Sequence, residues 1–280
     1  MSVDSILPNS LGSRAEGYVR AFSTLGCPGF SLAHVFALAR AHRITAVELR
    51  VLEGSLDLPA YFRGLGMDPA ALRSVADAAG MRIVAIGTSL RLVEGTDEDR
   101  EKFLEFVPWA EATGGARLRV FDGGSKADAA EMKQAAAAVR WWRSLRAEHA
   151  WNTDIMVETH DSLLTAAAIR RFLRSAPGSA ILWDSHHTWR KGGEEPAATW
   201  RAIGRHVAHI HVKDSACGAD PRAPARYVPP GTGEFPMAAL RKALAGNYSG
   251  PLSLEWERHW HPEIAPLEEA LRSAASTSWW

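Results

Sequence analysis

The sequence predicts a single-domain (β/α)8 barrel, on three observations. Apolar runs of strand length alternate eight times with helical patterns over 280 residues. Strands buried between helices form a parallel sheet, and a closed eight-stranded barrel commonly takes about 250 residues. The last four runs, I-M-V-E, I-L-W-D, V-A-H-I-H-V-K-D and L-S-L-E, end in side chains that bind cations. Finally, the turn after the first run reads L-G-C-P-G. An open doubly wound sheet would usually carry G-x-G-x-x-G there.

Residues 1–16 are polar with scattered Gly and Pro and read as an arm; the barrel is expected over 17–280. Residues 18–23 form the first strand, and Ser31 caps a helix over 31–42 in which Leu32, Val35, Phe36 and Ala39 share a face. A short strand at 45–49 ends near Glu48 and Arg50, and a loop leads to Asp68-Pro69, which opens a helix closed by Gly80. Strand 82–87 follows, then a helix over 96–113 with a kink expected at Pro108. Strand 118–121 and a long Ala-rich helix over 126–149 complete the first half. The second half repeats the unit: strand 154–158, helix 162–175, strand 180–184, helix 196–206, strand 207–214, helix 236–245, strand 251–255 and a last helix from about 266.

Composition narrows the function classes. Apolar residues make up 46% and charged residues 23%, the mix of an ordinary globular chain. Lys+Arg and Asp+Glu balance at 32 each, so no global charge draws the chain to nucleic acid or an anionic membrane. No window approaches the roughly 18 apolar residues of a membrane span. Cys27 and Cys217 show no metal or redox spacing, which reads as a reducing, cytoplasmic setting. A small polar substrate is the expected partner, and the terminal Trp279-Trp280 pair, read as exposed, suggests a homo-oligomer contact.

Glu158, Asp184, His211 and Glu255 fall at the C-terminal ends of the fifth to eighth strands. Those ends converge on one face of a barrel, where barrel enzymes place their sites. Buried charges of this kind are costly unless paired or bound to a cation. Three carboxylates and one imidazole suit a single divalent cation, Mn²⁺, Mg²⁺, Co²⁺ or Zn²⁺, without choosing among them. Around this set, Glu257 has the strand parity of Glu255 and is an alternative ligand or substrate contact. Lys213 meets either a substrate oxygen or the neighbouring Asp214. Glu48 and Arg50 end the second strand on the same face and could reach substrate. His160, His186 and His209 are either supporting partners or packing residues, and Trp183, Trp189 and Trp256 either stack on substrate or pack. His259 and His261 could form a further metal site or part of a lid, and the Gly231–Gly233 turn either approaches a phosphate or is a tight bend.

The series V-E-T-H, W-D-S-H-H, H-I-H-V-K-D, P-G-T-G-E-F-P and L-S-L-E-W-E, in this order and spacing, resembles the sugar phosphate isomerase/epimerase group of xylose isomerase-like TIM barrels. F-S-T-L-G-C-P-G-F-S-L and A-V-E-L-R extend the likeness to the first two strands, so it spans nearly the whole chain. The resemblance implies one divalent metal held by Glu158, Asp184, His211 and Glu255, with Glu158 and Glu255 exchanging protons with substrate and His187 binding a sugar oxygen. Such chemistry removes a proton beside a carbonyl through an enediolate that a cation stabilises, with a carboxylate on each face. Two departures bear on substrate. The ketose 3-epimerase branch carries an arginine six residues after the ligand histidine and a glutamate six after the first ligand glutamate, where this chain has Cys217 and Leu164; Arg222 or Arg226 could substitute for the arginine. The alternatives are a dehydratase of a cyclic polyol or dehydroshikimate-like substrate, an apurinic endonuclease-like hydrolase, and a barrel that only binds. The endonuclease pattern needs histidines where the chain reads E-L-R and G-T-S-L, and an Asp-x-His where it reads Asp220-Pro221-Arg222.

Overall fold

Eight parallel strands close into a barrel in the computed structural model, which describes residues 17–217 and 225–280. The strands are β1 (Val19–Ser23), β2 (Ala46–Leu49), β3 (Arg82–Arg91), β4 (Arg117–Phe121), β5 (Ile155–Glu158), β6 (Ala180–Asp184), β7 (Val207–Val212) and β8 (Pro251–Leu254). Each pairs with its neighbours in sequence, and β1 closes the ring by pairing with β8 from Val19↔Pro251 to Phe22↔Leu254. The barrel is the architecture expected. The 1–16 arm and Arg222 lie outside the described residues.

Alternation along the strands sorts the core into two shells. Phe22, Val47, Ile86, Val120, Val157, Trp183, Ile210, Val212 and Leu254 join the large cluster between sheet and helices. The inward positions hold a small apolar plug of Ala85, Met156 and Leu182. Level with this plug in strand register lie Glu48, Arg119 and His209, and further toward the C-terminal ends the buried polar residues are Glu158, Asp184, His211, Lys213 and Ser253. The lumen therefore turns ionic toward the C-terminal ends of the strands.

Helices α1 (Leu32–Ala41), α3 (Pro69–Ala78), α6 (Ala129–Glu148), α7 (Ala166–Ser175), α9 (Pro196–Ile203), α10 (Met237–Leu244) and α11 (Leu267–Ser276) fall where they are expected, and the others depart in informative places. Residues 58–64, read as loop, form α2 (Leu58–Gly64), with Asp57 accepting from the Ala60 amide and Pro59 in the first turn. The expected kinked helix over 96–113 is two helices, α4 (Asp97–Leu104) and α5 (Val107–Ala112). Pro108 lies in the first turn of α5, where its missing N–H costs nothing, so the chain breaks before the proline. A six-residue helix, α8 (Ser185–Arg190), follows β6 directly because the Asp184 carboxylate accepts from the His187 amide at 2.8 Å. A two-residue ribbon pairs Ser215–Ala216 with Arg226–Tyr227.

Trp279 and Trp280, expected on the surface, are 7% and 6% exposed. Trp279 meets Phe235 with ring centroids 6.1 Å apart, and Thr277 and Ser273 hydroxyls donate to the Pro230 carbonyl. The C-terminal turn thus folds back onto the body, and the pair is not the exposed aromatic surface expected. No helix among the described residues is long and apolar enough to cross a membrane.

Candidate metal centre

Four strand ends bring Glu158, Asp184, His211 and Glu255 together, one atom of each lying within 4.8 Å of the others, all buried. His211 stands in the middle. Its Nδ1 is 3.5 Å from Glu158 Oε1 and 3.3 Å from Glu255 Oε1. Its Nε2 is 2.8 Å from Glu48 Oε2, across the barrel on β2. In the neutral imidazole, with its one proton on Nε2 donated to Glu48, the Nδ1 lone pair would face the carboxylates; the second partner of an imidazole selects its tautomer in this way.

The electrostatics favour a cation at this spot. Burial opposes charge on His211, but the Glu255 and Glu48 carboxylates outweigh it and hold the imidazole well above its ordinary value. Glu255 is held well below the usual carboxylate range, since the pull of His211 and Lys213 overcomes burial. Glu158 is lowered too: burial and Glu255 push it up, but Arg119 and His211 prevail. Burial pushes Asp184 up to about 6 against the pull of the Lys213 ammonium. Glu158 Oε2 and Asp184 Oδ2 meet only ion-pair contacts, with Arg119 Nε at 3.2 Å and Lys213 Nζ at 2.8 Å, and His211 Nδ1 is buried without a hydrogen-bond partner. Three converging carboxylates beside an imidazole nitrogen with no hydrogen-bond partner fit a divalent cation by donor chemistry.

The remaining expected residues divide by strand parity and reach. His160, His187 and Glu257 line a cavity of ≈ 70 Å³ beside Glu158 and Glu255, with Leu25, Arg50, Arg119, Phe121 and Trp260. His187 is 3% exposed and is kept neutral, because burial and the Lys213 charge lower its pKa well below the usual range. His160 meets it edge to face, with ring centroids 5.0 Å apart, and hydrogen-bonds Asp161 at 2.8 Å. Glu257 lies outside the four-residue group; it contacts the Lys213 ammonium and accepts from the Tyr227 hydroxyl at 2.9 Å. Lys213 is fully buried, with Nζ 2.8 Å from Asp184 Oδ2 and 2.5 Å from Glu255 Oε2. It pairs with these carboxylates and not with Asp214, whose oxygens accept from the Gly231, Gly233 and Phe235 amides. Those bonds make the 231–233 turn a tight bend with its amides already used.

Two expected substrate contacts are corrected. Trp183 is fully buried on the outward face of β6, its Nε1 donating to Thr188 Oγ1 and its ring stacked on Trp200 of α9 (Pro196–Ile203). Since Asp184 faces inward, its neighbour must face the helices. Glu48 is fully buried behind His211 and does not border the cavity; its Oε2 serves His211 and, at 3.3 Å, His209. Trp256, like Trp183, is buried outside the lumen, bonded to the Ala265 carbonyl. His186 bonds Ser215 and His209 bonds Ser253, supporting contacts in both cases. Neither His259 nor His261 belongs to a cluster able to hold a metal among the described residues. Arg119, Phe121, Leu25 and Trp260 line the cavity without having been expected there; Arg119 was legible as an inward charge on β4, while Trp260 depends on the loop after β8.

Solved structures share this architecture. The probable 3-DHS dehydratase AsbF involved in petrobactin synthesis, from Bacillus anthracis, is 18% identical with a TM-score of 0.74, the match covering 92% of this chain and 98% of that one. A xylose isomerase domain containing protein from Salmonella typhimurium LT2 is 18% identical with a TM-score of 0.73, covering 95% and 100%. The IOLI protein, solved with a bound zinc atom, is 16% identical with a TM-score of 0.70, covering 93% and 96%. At these identities the likeness is one of fold. No curated protein matches the sequence. The model of the xylose isomerase-like TIM barrel family matches residues 36–277, and the chain belongs to that family.

Proposed function

We propose that the protein is a divalent-metal-dependent isomerase or epimerase of a sugar, sugar phosphate or related polyhydroxy carbonyl compound. The observation that carries this reading is the placement of two buried glutamates, Glu158 and Glu255, at 3.5 and 3.3 Å from His211 Nδ1 and at the wall of one small cavity. Glu158, Asp184, His211 and Glu255 would hold the cation, which when bound supplies Lewis acidity for a carbonyl oxygen. Mn²⁺, Mg²⁺, Co²⁺ and Zn²⁺ all suit the donors; a structurally similar protein binds zinc.

The chain's own residues then divide the proton work. One glutamate takes the proton from the carbon beside the carbonyl, breaking C–H and leaving an enediolate. The other returns a proton, to the opposite face of that carbon for epimerisation or to its neighbour for isomerisation, with no net oxidation. Arg119 beside Glu158 and Lys213 beside Glu255 keep both carboxylates ionised between turnovers. Neutral His187 and the Glu257 carboxylate, both on the cavity wall, orient hydroxyl groups. A dehydratase reading shares the first step and differs in losing a hydroxide from the next carbon; the description of the structurally similar AsbF supports keeping it.

The test is a screen of keto sugars, their phosphates, and cyclic hydroxy ketones and polyols with each metal in deuterated water, read by proton NMR. Deuterium beside the carbonyl together with a new isomer is the expected result. Loss of water to an alkene assigns a lyase, and no exchange with any substrate or metal counts against proton transfer.

Glu48 is assigned an orienting role in this scheme. Glu48→Gln should weaken metal binding roughly 10- to 100-fold, the range typical when an outer partner of a ligand histidine is altered. Titration with Mn²⁺ or Zn²⁺ checks it, and unchanged affinity would remove Glu48 from that role.

A further inference from the structure

One cation at the cavity has no anion of its own. Arg50 is 4% exposed and borders the cavity. Its Nη2 donates to Ser89 Oγ at 3.1 Å, while Nη1 is buried with no hydrogen-bond partner. The other buried bases of the lumen are paired: Lys213 with Asp184, Glu255 and Glu257, Arg119 with Glu158, and His211 with Glu48. Among the described residues, no carboxylate comes within 4.0 Å of the Arg50 guanidinium. Leaving a buried N–H of a charged group unmet is expensive, so such a group is expected to meet a ligand.

The second arginine stands beside it. The Cβ that any other residue would add at Gly87 would lie 2.7 Å from Arg50 Cδ and 3.1 Å from Arg119 Nη2, so the missing side chain lets both guanidinium arms share this wall. Arg119 is held in place by the Thr88 carbonyl at 2.9 Å and lies 4.0 Å from the Phe121 ring centroid. Burial and the like charge of Arg119 pull Arg50 down to about 9, only partly offset by the more distant Glu158, Glu255 and Glu48 carboxylates, so it stays charged at neutral pH with no carboxylate in contact. Leu25, Phe121 and Trp260 give the same cavity apolar surface against which a carbon skeleton can lie.

We infer that Arg50, backed by Arg119, binds a carboxylate of the substrate, so that the compound turned over is a hydroxy or keto acid of sugar or cyclic polyol type. The inference rests on the proton-transfer reading above and names the substrate class of that site. One unpaired guanidinium calls for one negative charge, and its planar fork matches a carboxylate. A phosphate monoester brings about −1.5 to −2 and a third oxygen acceptor, for which this wall shows no further free cation among the described residues. The acid group at Arg50 would leave the remainder of the skeleton facing Glu158 and Glu255.

Matched ligand pairs test the inference without a known substrate. Quinate against myo-inositol, and gluconate against sorbitol, differ in bearing or lacking the acid; glucose 6-phosphate is the phosphate probe. Binding to the full chain is measured by calorimetry with Mn²⁺ and again with EDTA, for the native protein, Arg50→Met and Arg50→Lys. At least one acid should bind roughly 10- to 100-fold more tightly than its neutral partner. Arg50→Met should erase that preference and Arg50→Lys keep part of it. The comparison within the native protein holds even if a variant fails to fold. Equal binding within both pairs, no binding of either acid, tighter binding of the phosphate, or a preference surviving in folded Arg50→Met would each overturn the inference. A preference for acids with no deuterium exchange into any acid would sustain the subsite and sink the proposed chemistry. Exchange into neutral sugars without any acid preference would do the reverse.

Discussion

Replacing Glu158 with glutamine should lower deuterium exchange into substrate by about 10³-fold, within the 10²- to 10⁴-fold that a positioned acid–base group contributes. The amide keeps the shape of the carboxylate but cannot accept the proton. Two opposing electrostatic changes keep the fold. Arg119 loses its charged partner at 3.2 Å yet retains the Thr88 carbonyl and the Phe121 ring. Glu255 meanwhile loses a like-charged neighbour that raises the cost of ionising both. Thermal unfolding should therefore shift by only a few degrees, and near-UV circular dichroism should match the native protein. Proton NMR of the exchange reaction is the deciding measurement: an unchanged rate at saturating metal would exclude Glu158 as base.

His211→Ala should weaken metal binding by at least about 10³-fold, more than the 10- to 100-fold typical of outer partners. It removes the one nitrogen donor and strands Glu48 with His209 alone. A stability cost of about 1–3 kcal/mol is expected from the buried carboxylate left short of a partner. The variant also carries a pH signature. In the metal-free native protein the raised His211 pKa means that an incoming cation must displace a proton. Apparent affinity should therefore climb by up to about tenfold per pH unit while pH stays below that raised value. The alanine variant should lose this part of the slope. The same proton stabilises the metal-free fold fully below the unfolded value of about 6.5, and its contribution fades as pH rises through the folded value. Metal should thus raise the melting temperature most at alkaline pH. Full metal retention in His211→Ala would overturn the ligand set.

Much of the site was legible because a barrel converts strand parity into position. Once the fifth to eighth strands were recognised, period-2 alternation and parallel closure brought Glu158, Asp184, His211 and Glu255 to one rim. The same parity should have turned Trp183 away, since it neighbours Asp184 on one strand; an aromatic near a ligand in sequence lies on the opposite face of the sheet. Short helices were harder. α2 and α8 have six or seven residues, too few for helical periodicity, and their caps, Asp57 and Asp184, were the signals available. Asp184 is instructive: one oxygen caps a helix while the other faces the cation site, so its functional reading hid its structural one.

Local pattern thus established the barrel, its eight strands and the four converging donors, because side-chain alternation and helix punctuation act over a few residues. Long-range contact established the rest. Glu48 and His211 are 163 residues apart, and their 2.8 Å bond exists because the closed ring sets β2 across from β7. Trp279 and Trp280 are buried because the last helix returns to the loop before α10 (Met237–Leu244). Above all, a sequence shows that Arg50 is basic but not whether it is paired. Whether a buried charge is already neutralised depends on every carboxylate within a few ångströms, and those come from strands distant in the chain.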